Sequence, residues 1–277
     1  MELEDQKFWQ RYFFHIGFCG TNYHGWQRQA KVISVQSVLE DTLSRIFKVP
    51  TTIYGCGRTD TGVHASQYFF HVDIENEWNF DLLYRLNKSL PEDIAIFDII
   101  PIDGSLHARF DATKRTYDYF IHTYKDPFLQ SISSLYLKTN LDFNKMNTAV
   151  TLLTKYDDFR AFCKSPDRHE NTKCKVSTAN LYINESGDRI RFQISSNRFL
   201  GSMIRIIVKK LLDIGNGELS VDEFESYLIN KTCSKKSKLV FPQGLYLSKV
   251  TYPFLDLKPR ANFLKILENN VDEWQHV

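Results

Sequence analysis

With 277 residues, 43% hydrophobic and 25% charged, the chain is long enough for one large domain or two ordinary ones and reads as globular with a sizeable core. Its net charge of only +2 excludes nucleic-acid binding through overall charge, so such a partner would need a local basic patch. The five cysteines form no C-x-x-C pair, the eight histidines show no H-E-x-x-H, Met1–Asp5 is acidic rather than an apolar leader, and no apolar run nears the ~18 residues of a membrane span; a cytoplasmic protein with free thiols, no metal and no membrane contact is expected.

In chain order, Tyr12 to Phe18 is an aromatic-rich strand, and Gly20-Thr21-Asn22-Tyr23-His24-Gly25 a loop before Trp26-Gln27-Arg28-Gln29. Ser34 to Lys48 is the clearest helix. Val35, Val38, Leu39, Leu43, Ile46 and Phe47 share one face, and Pro50 stops it. Ser34 can cap it, or Ser37-x-x-Glu40 can act as a capping box one turn later. A β-branched run at Thr51–Tyr54 leads into Gly55-Cys56-Gly57-Arg58-Thr59-Asp60-Thr61-Gly62-Val63-His64-Ala65, and a strand follows over Gln67–Ile74. Asp81 to Leu90 predicts a second helix, and Ile94 to Ile100 an apolar strand.

Further strands fall at Arg115–His122, at a hairpin within Asn180–Ile194, at Leu239–Phe241 and at Gly244–Val250; further helices fall at Asn144–Tyr156, Gly201–Gly215 and Val221–Ile229. This pattern is α+β, with helices over one face of a mainly antiparallel sheet. Asp103-Gly104-Ser105 suggests a boundary. The expected organisation is an N-terminal half over residues 1–105, a C-terminal half over 106–257 and an amphipathic helical tail over 258–277. Phe263, Leu264, Ile266, Leu267, Val271 and Trp274 form the apolar stripe of that tail, which would dock on its own domain or on a partner.

Three places could carry chemistry. Asp60, in a glycine-framed loop, could act as a nucleophile or general base if a guanidinium keeps it ionised, and Arg58 is close in sequence. The loop could equally be a tight connection whose Arg58 and Asp60 pair with each other. Arg205 lies on the border of the apolar face of its helix, with Lys209, Lys210 and Asp213 toward solvent, and could pair with a carboxylate or only snorkel. Tyr117 shares a strand face with Arg115 and Tyr119, either as ordinary packing or as a platform for an unstacked base. Basic pairs at Lys164/Arg168 and Lys173/Lys175, and the run Lys235-Lys236 with Lys238, are compatible with tracking a phosphate backbone.

Taken together, these residues resemble the TruA family of tRNA pseudouridine synthases. The resemblance is carried in order by Gly20–Gln29, Ser34-Val35-Gln36 with Leu39-Glu40, Gly57–Ala65, His107–Phe110, Ala112–Tyr117, Asn197–Leu200 with Met203–Arg205, and Gly244–Leu247 before Tyr252-Pro253. It implies the pseudouridine synthase fold, with two similar α/β halves meeting at a central cleft and helices outside. It implies isomerisation of uridine in tRNA, in the anticodon stem-loop, with no cofactor and no metal, by a homodimer. Asp60 would be the catalytic residue. Arg58 would help flip the nucleotide, Tyr117 would stack on the base, Arg205 would pair with Asp60, and Leu245 would pack against the flipped base.

The chain departs from the family pattern at Cys19, Ile206, Lys209 and Phe241-Pro242-Gln243, which bears on the choice of RNA more than on the reaction. The alternatives are the same chemistry on another RNA such as ribosomal RNA, a non-catalytic RNA-binding protein on the same scaffold, or a metal-dependent hydrolase. The last lacks a second carboxylate or a histidine pair near Asp60.

Overall fold

A computed structural model describes residues 9–75, 78–137, 140–232, 239–260 and 274–276. The chain divides into two compact units: Met1–Thr113 with Lys249–Ala261, and Lys114–Ser248 with Asn262–Val277. The loop at Asp103-Gly104-Ser105 exists, with Gly104 at φ 79°, but the chain leaves the first unit at Thr113 and re-enters it at Lys249.

The first unit contains β1 (Trp9–Phe18), α1 (Val35–Phe47), β2 (Tyr54–Gly55), β3 (His64–Glu75), α2 (Leu82–Ser89) and β4 (Ile94–Ile102). β1 is central, antiparallel to β3 on one side and β4 on the other, and β2 pairs with β3 through Tyr54↔His71 and Gly55↔Phe70. Strand alternation gives this sheet two aromatic faces. On one, Phe14 stacks on Phe70 at 4.7 Å and Trp26 on Tyr68 at 4.1 Å. Tyr12 reaches Phe47 of α1 on that side through Trp78. On the other, Phe13 and Phe69 meet Tyr252 edge-on at 5.6 and 5.4 Å. Each such fully buried ring contributes about 1.5–3 kcal/mol of apolar burial.

α1 begins at Ser34, whose Oγ accepts the Ser37 amide while Ser37 Oγ accepts the Ser34 amide. The capping box therefore closes on Ser37 and does not start there. Glu40 is used elsewhere: its carboxylate accepts the Ile53 amide at 3.2 Å and the Gln36 side-chain amide at 2.9 Å. Lys48 ends the helix in the left-handed region, before Pro50.

The second unit contains β5 (Lys114–His122), β6 (Ser134–Leu135), α3 (Phe143–Leu152), β7 (Val176–Asn184), β8 (Arg189–Ser196), α4 (Met203–Gly215), α5 (Val221–Asn230), the start of β9 (Leu245–Thr251) and β10 (Trp274–His276). β5, β8, β7 and β10 pair antiparallel in that order, and β6 adds to β5 in parallel. β9 lies beside β5 at its start, where Ser248 Oγ donates to the Thr116 carbonyl, and its last residues belong to the first unit.

Three expectations fare differently here. Leu239–Phe241 is not a strand: the carbonyls of Val240 and Phe241 accept side-chain donors from Arg205 and Tyr119, and Pro242 brings no amide donor. Lys210 is buried rather than solvent-facing, because its ammonium lies 5.1 Å from the centre of the Tyr227 ring of α5. The expected helical tail falls mostly outside the described residues. At its end Trp274–His276 is extended and pairs with Tyr182–Asn184 of β7.

Candidate active site

The loop that carries Asp60 is clamped by backbone contacts from the preceding block Gly20–Gln29. The Trp26 amide donates to the Thr59 carbonyl at 3.3 Å, and the Gly62 amide donates to the Tyr23 carbonyl at 3.2 Å. Inside the loop the Val63 amide returns to the Asp60 carbonyl at 3.2 Å, and the Cys56 amide donates to Phe69 of β3 at 2.8 Å. The hydroxyl of Tyr68 donates to the Gly57 carbonyl at 2.5 Å, and His64 Nδ1 accepts the Gly20 amide at 2.9 Å.

Glycine is needed where these backbones touch. Gly25 sits at φ 81°, and a Cβ there would strike the Thr59 carbonyl. Gly55 leaves room for the Trp26 ring and the Tyr68 hydroxyl, whereas a Cβ on Gly57 would meet nothing within 4 Å.

The other block, Ser34–Glu40, fixes the approach to the loop. Gln36 donates to the Ile53 carbonyl at 3.1 Å, and Glu40 accepts the Ile53 amide. Arg28 in turn donates to Glu40 at 2.6 Å and also bonds Asp41. Tyr23 donates to Asp93, which also receives Asn22 at 3.1 Å; burial, with the Asp93 carboxylate second, pushes the Tyr23 hydroxyl pKa upward, so it stays protonated. The result is a loop with one arginine and one aspartate, held by neighbours on both sides. Arg58 and Asp60 are exposed on it, while Thr59 between them turns inward. Thr59 Oγ1 is buried with no hydrogen-bond partner among the described residues.

In the second unit Tyr117 is half-buried on β5, with Phe199 edge-on to it at 5.1 Å. The partnership with Phe199 was not readable from spacing, since it depends on the turn after β8. Arg205 is half-buried on α4 and donates Nε to the Val240 carbonyl at 2.9 Å, so the border position is confirmed. Tyr119, on the same strand face as Tyr117, is buried and donates to the Phe241 carbonyl at 2.7 Å. Burial raises its hydroxyl pKa, partly countered by a hydrogen bond involving Ser134 and by the positive charge of Arg205.

Leu245, 7% exposed, starts β9 directly after Gly244, where a Cβ would press on the Phe120 carbonyl and the Tyr119 ring. The Arg115 guanidinium donates to the Asn197 carbonyl at 3.0 Å and the Lys175 amide to Asn197 Oδ1 at 2.8 Å, which ties the block after β8 to the basic segment before β7. Lys235, Lys236 and Lys238 lie outside the described residues.

Cys19, a departure from the family pattern, is half-buried with Sγ 3.3 Å from Thr21 Oγ1; Lys209 pairs with Asp213, and Phe241 is exposed. Among the described residues there is no group of three His, Cys, Asp or Glu side chains that could hold a metal ion, and no helix long and apolar enough to cross a membrane.

A family model described as tRNA pseudouridine synthase matches residues 154–253. Curated relatives named tRNA pseudouridine synthase A extend the likeness over most of the chain. The protein of Parabacteroides distasonis is 40% identical over 247 residues, covering 88% of this chain and 96% of its own. Those of Porphyromonas gingivalis and Bacteroides fragilis are 38% and 39% identical, each covering 88% of this chain and 97% of its own. The chain belongs to the tRNA pseudouridine synthase A family.

Proposed function

We propose that this chain is an isomerase that converts uridine to pseudouridine in tRNA, in the anticodon stem-loop, as a cytoplasmic homodimer needing neither cofactor nor metal. The observation that carries the reading is the identity of 38–40% over 88% of the chain to tRNA pseudouridine synthases A. The exposed, backbone-clamped Asp60 supports it from the geometry.

In this reading Asp60 either attacks the ribose or takes a proton from it. Arg205 holds Asp60 ionised, which leaves Arg58 to help flip the nucleotide. The base leaves its stack at a cost of a few kcal/mol, and stacking on Tyr117 offsets about 1–3 kcal/mol of that. Leu245 packs against the flipped base. No electron or group leaves the molecule: the glycosidic bond from N1 breaks, the bond from C5 forms, and the C5 proton is lost as N1 gains one.

The test is pseudouridine mapping of total RNA from a strain lacking the gene, complemented with wild-type or Asp60→Ala protein. Loss of pseudouridine from the tRNA anticodon arm, restored by wild type and not by Asp60→Ala, is expected. Loss confined to ribosomal RNA would replace the tRNA assignment, and full restoration by Asp60→Ala would remove Asp60 from the chemistry.

A further inference from the structure

The first unit carries a second aromatic surface that the proposed reaction does not use. Tyr54 stacks on His71 at 5.1 Å with 19° between the rings. His71 meets His107 edge-on at 4.5 Å, and His107 lies 4.4 Å from Phe110. The guanidinium of Arg109 stands 5.7 Å from the centre of the Phe110 ring. The two ends of this series face solvent: Tyr54 is 51% exposed and Phe110 75%.

The interior of the series is fixed. His71 Nδ1 accepts the Ala108 amide at 3.1 Å, and His107 Nδ1 accepts the Arg109 amide at 3.0 Å. Each ring is thereby set with its lone pair on Nδ1 and its proton on Nε2, a neutral imidazole. His71 also stacks on Phe13, so the series sits on the sheet face that carries Phe13 and Phe69, opposite the face that Phe47 of α1 reaches through Trp78.

Exposed rings in series need a partner with flat faces or an apolar one. A guanidinium over one end favours the former, since flat, neutral rings beside a cation are what a stacking base and its phosphate require. The proposed reaction gives the target base to Tyr117 of the second unit, which leaves these rings for another nucleotide. Six residues of β3 lie between His71 and His64 at the end of the loop, roughly 23 Å along the strand.

We propose that Tyr54, His107 and Phe110, with Arg109, form a second RNA-contact site on the first unit, which stacks an unpaired nucleotide of the substrate other than the target uridine. The proposal rests on the reading of RNA as the substrate.

It is tested by equilibrium binding of an unmodified tRNA transcript to the full chain, with single-turnover conversion at saturating protein as a second readout. Tyr54→Ala and Phe110→Ala are expected to weaken binding roughly tenfold each and to leave the saturated rate unchanged. Phe110→Trp should keep wild-type affinity, and Phe110→Leu should bind as poorly as Phe110→Ala. Wild-type affinity in both alanine variants would overturn the site. So would wild-type affinity in Phe110→Leu, or a changed sedimentation coefficient at unchanged affinity, either of which assigns the rings to a protein contact. A wild-type chain that binds the transcript without converting it would count against the proposed reaction alone, because the affinities still decide the site.

Discussion

Gly25 and Thr59 meet backbone to backbone. The amide following Gly25 donates to the Thr59 carbonyl, and a Cβ on residue 25 would strike that oxygen and come within 3.2 Å of the carbonyl carbon of Asp60. Position 25 thus sets where the candidate catalytic carboxylate sits, although it is far from Asp60 in sequence and carries no side chain.

Gly25→Ala should accordingly displace the loop. Misplacement of a catalytic group by about 1 Å costs on the order of 100-fold in rate, so single-turnover conversion should fall by about that factor. Gly57→Ala has open space around its Cβ and should leave rate and unfolding temperature close to wild type. Equal rates for the two variants would show that the contact does not position Asp60.

Tyr117 separates stacking from hydroxyl chemistry. Tyr117→Ala should weaken RNA binding about tenfold, and Tyr117→Phe should retain it, because stacking needs only the ring. A Phe variant that binds as poorly as Ala would assign the role to the hydroxyl.

The buried pair Asp118–Arg191 is a point of fragility in the second unit. Arg191 Nε donates to Asp118 at 2.8 Å, the two side chains are 13% and 1% exposed, and Gln193 donates to the same carboxylate oxygen at 3.0 Å. Asp118→Ala leaves a half-buried guanidinium without its carboxylate and should destabilise by about 3–5 kcal/mol. Urea unfolding measures this directly, and a loss under 1 kcal/mol would mean that water reaches the pair.

Stability should fall with acid through His71. Burial, then the charge of Arg11, push its pKa down from 6.5 to about 4. Between those values the unfolded chain takes up a proton that the folded chain refuses, so the stabilisation is complete above pH 6.5 and is lost as pH falls toward 4. The change is on the order of 3 kcal/mol. His15, His107 and His122 are shifted in the same direction, with burial the largest cause in each. His71→Asn should flatten the dependence of urea midpoint on pH between 7 and 5; an unchanged slope would assign it to the other histidines.

Elements whose identity is local were legible in the sequence. α1 and α4 follow from periodicity, β3 from its β-rich composition, and the cap at Ser34 from a side chain that accepts the amide hydrogen three residues on. What depends on distant partners was not. Lys210 looks solvent-facing until Tyr227 is beside it, and Leu239–Phe241 has strand composition but spends its carbonyls on Tyr119 and Arg205. For the site, the order of the blocks singled out Asp60, Tyr117 and Arg205 as candidates. The reason the first blocks travel together appears only in the bonds from Trp26 to Thr59, from Gly62 to Tyr23 and from Gln36 to Ile53.

The first unit is completed by the far end of the chain. Gln67 of β3 accepts the Val250 amide and donates to the Leu257 carbonyl, and Tyr252 donates to the carbonyl of Ala108. During synthesis, then, the segment bearing Asp60 emerges early yet cannot close its sheet face until Lys249–Ala261 has left the ribosome. Most of the second unit, Lys114–Ser248, is one continuous stretch and lacks only its C-terminal segment with β10, so its β5–β8–β7 sheet can form first while the N-terminal strands wait with Phe13 and Phe69 uncovered. A nascent chain stalled before Lys249 would carry the loop with Asp60 in an unfinished fold, so the first unit is completed only when translation is almost over.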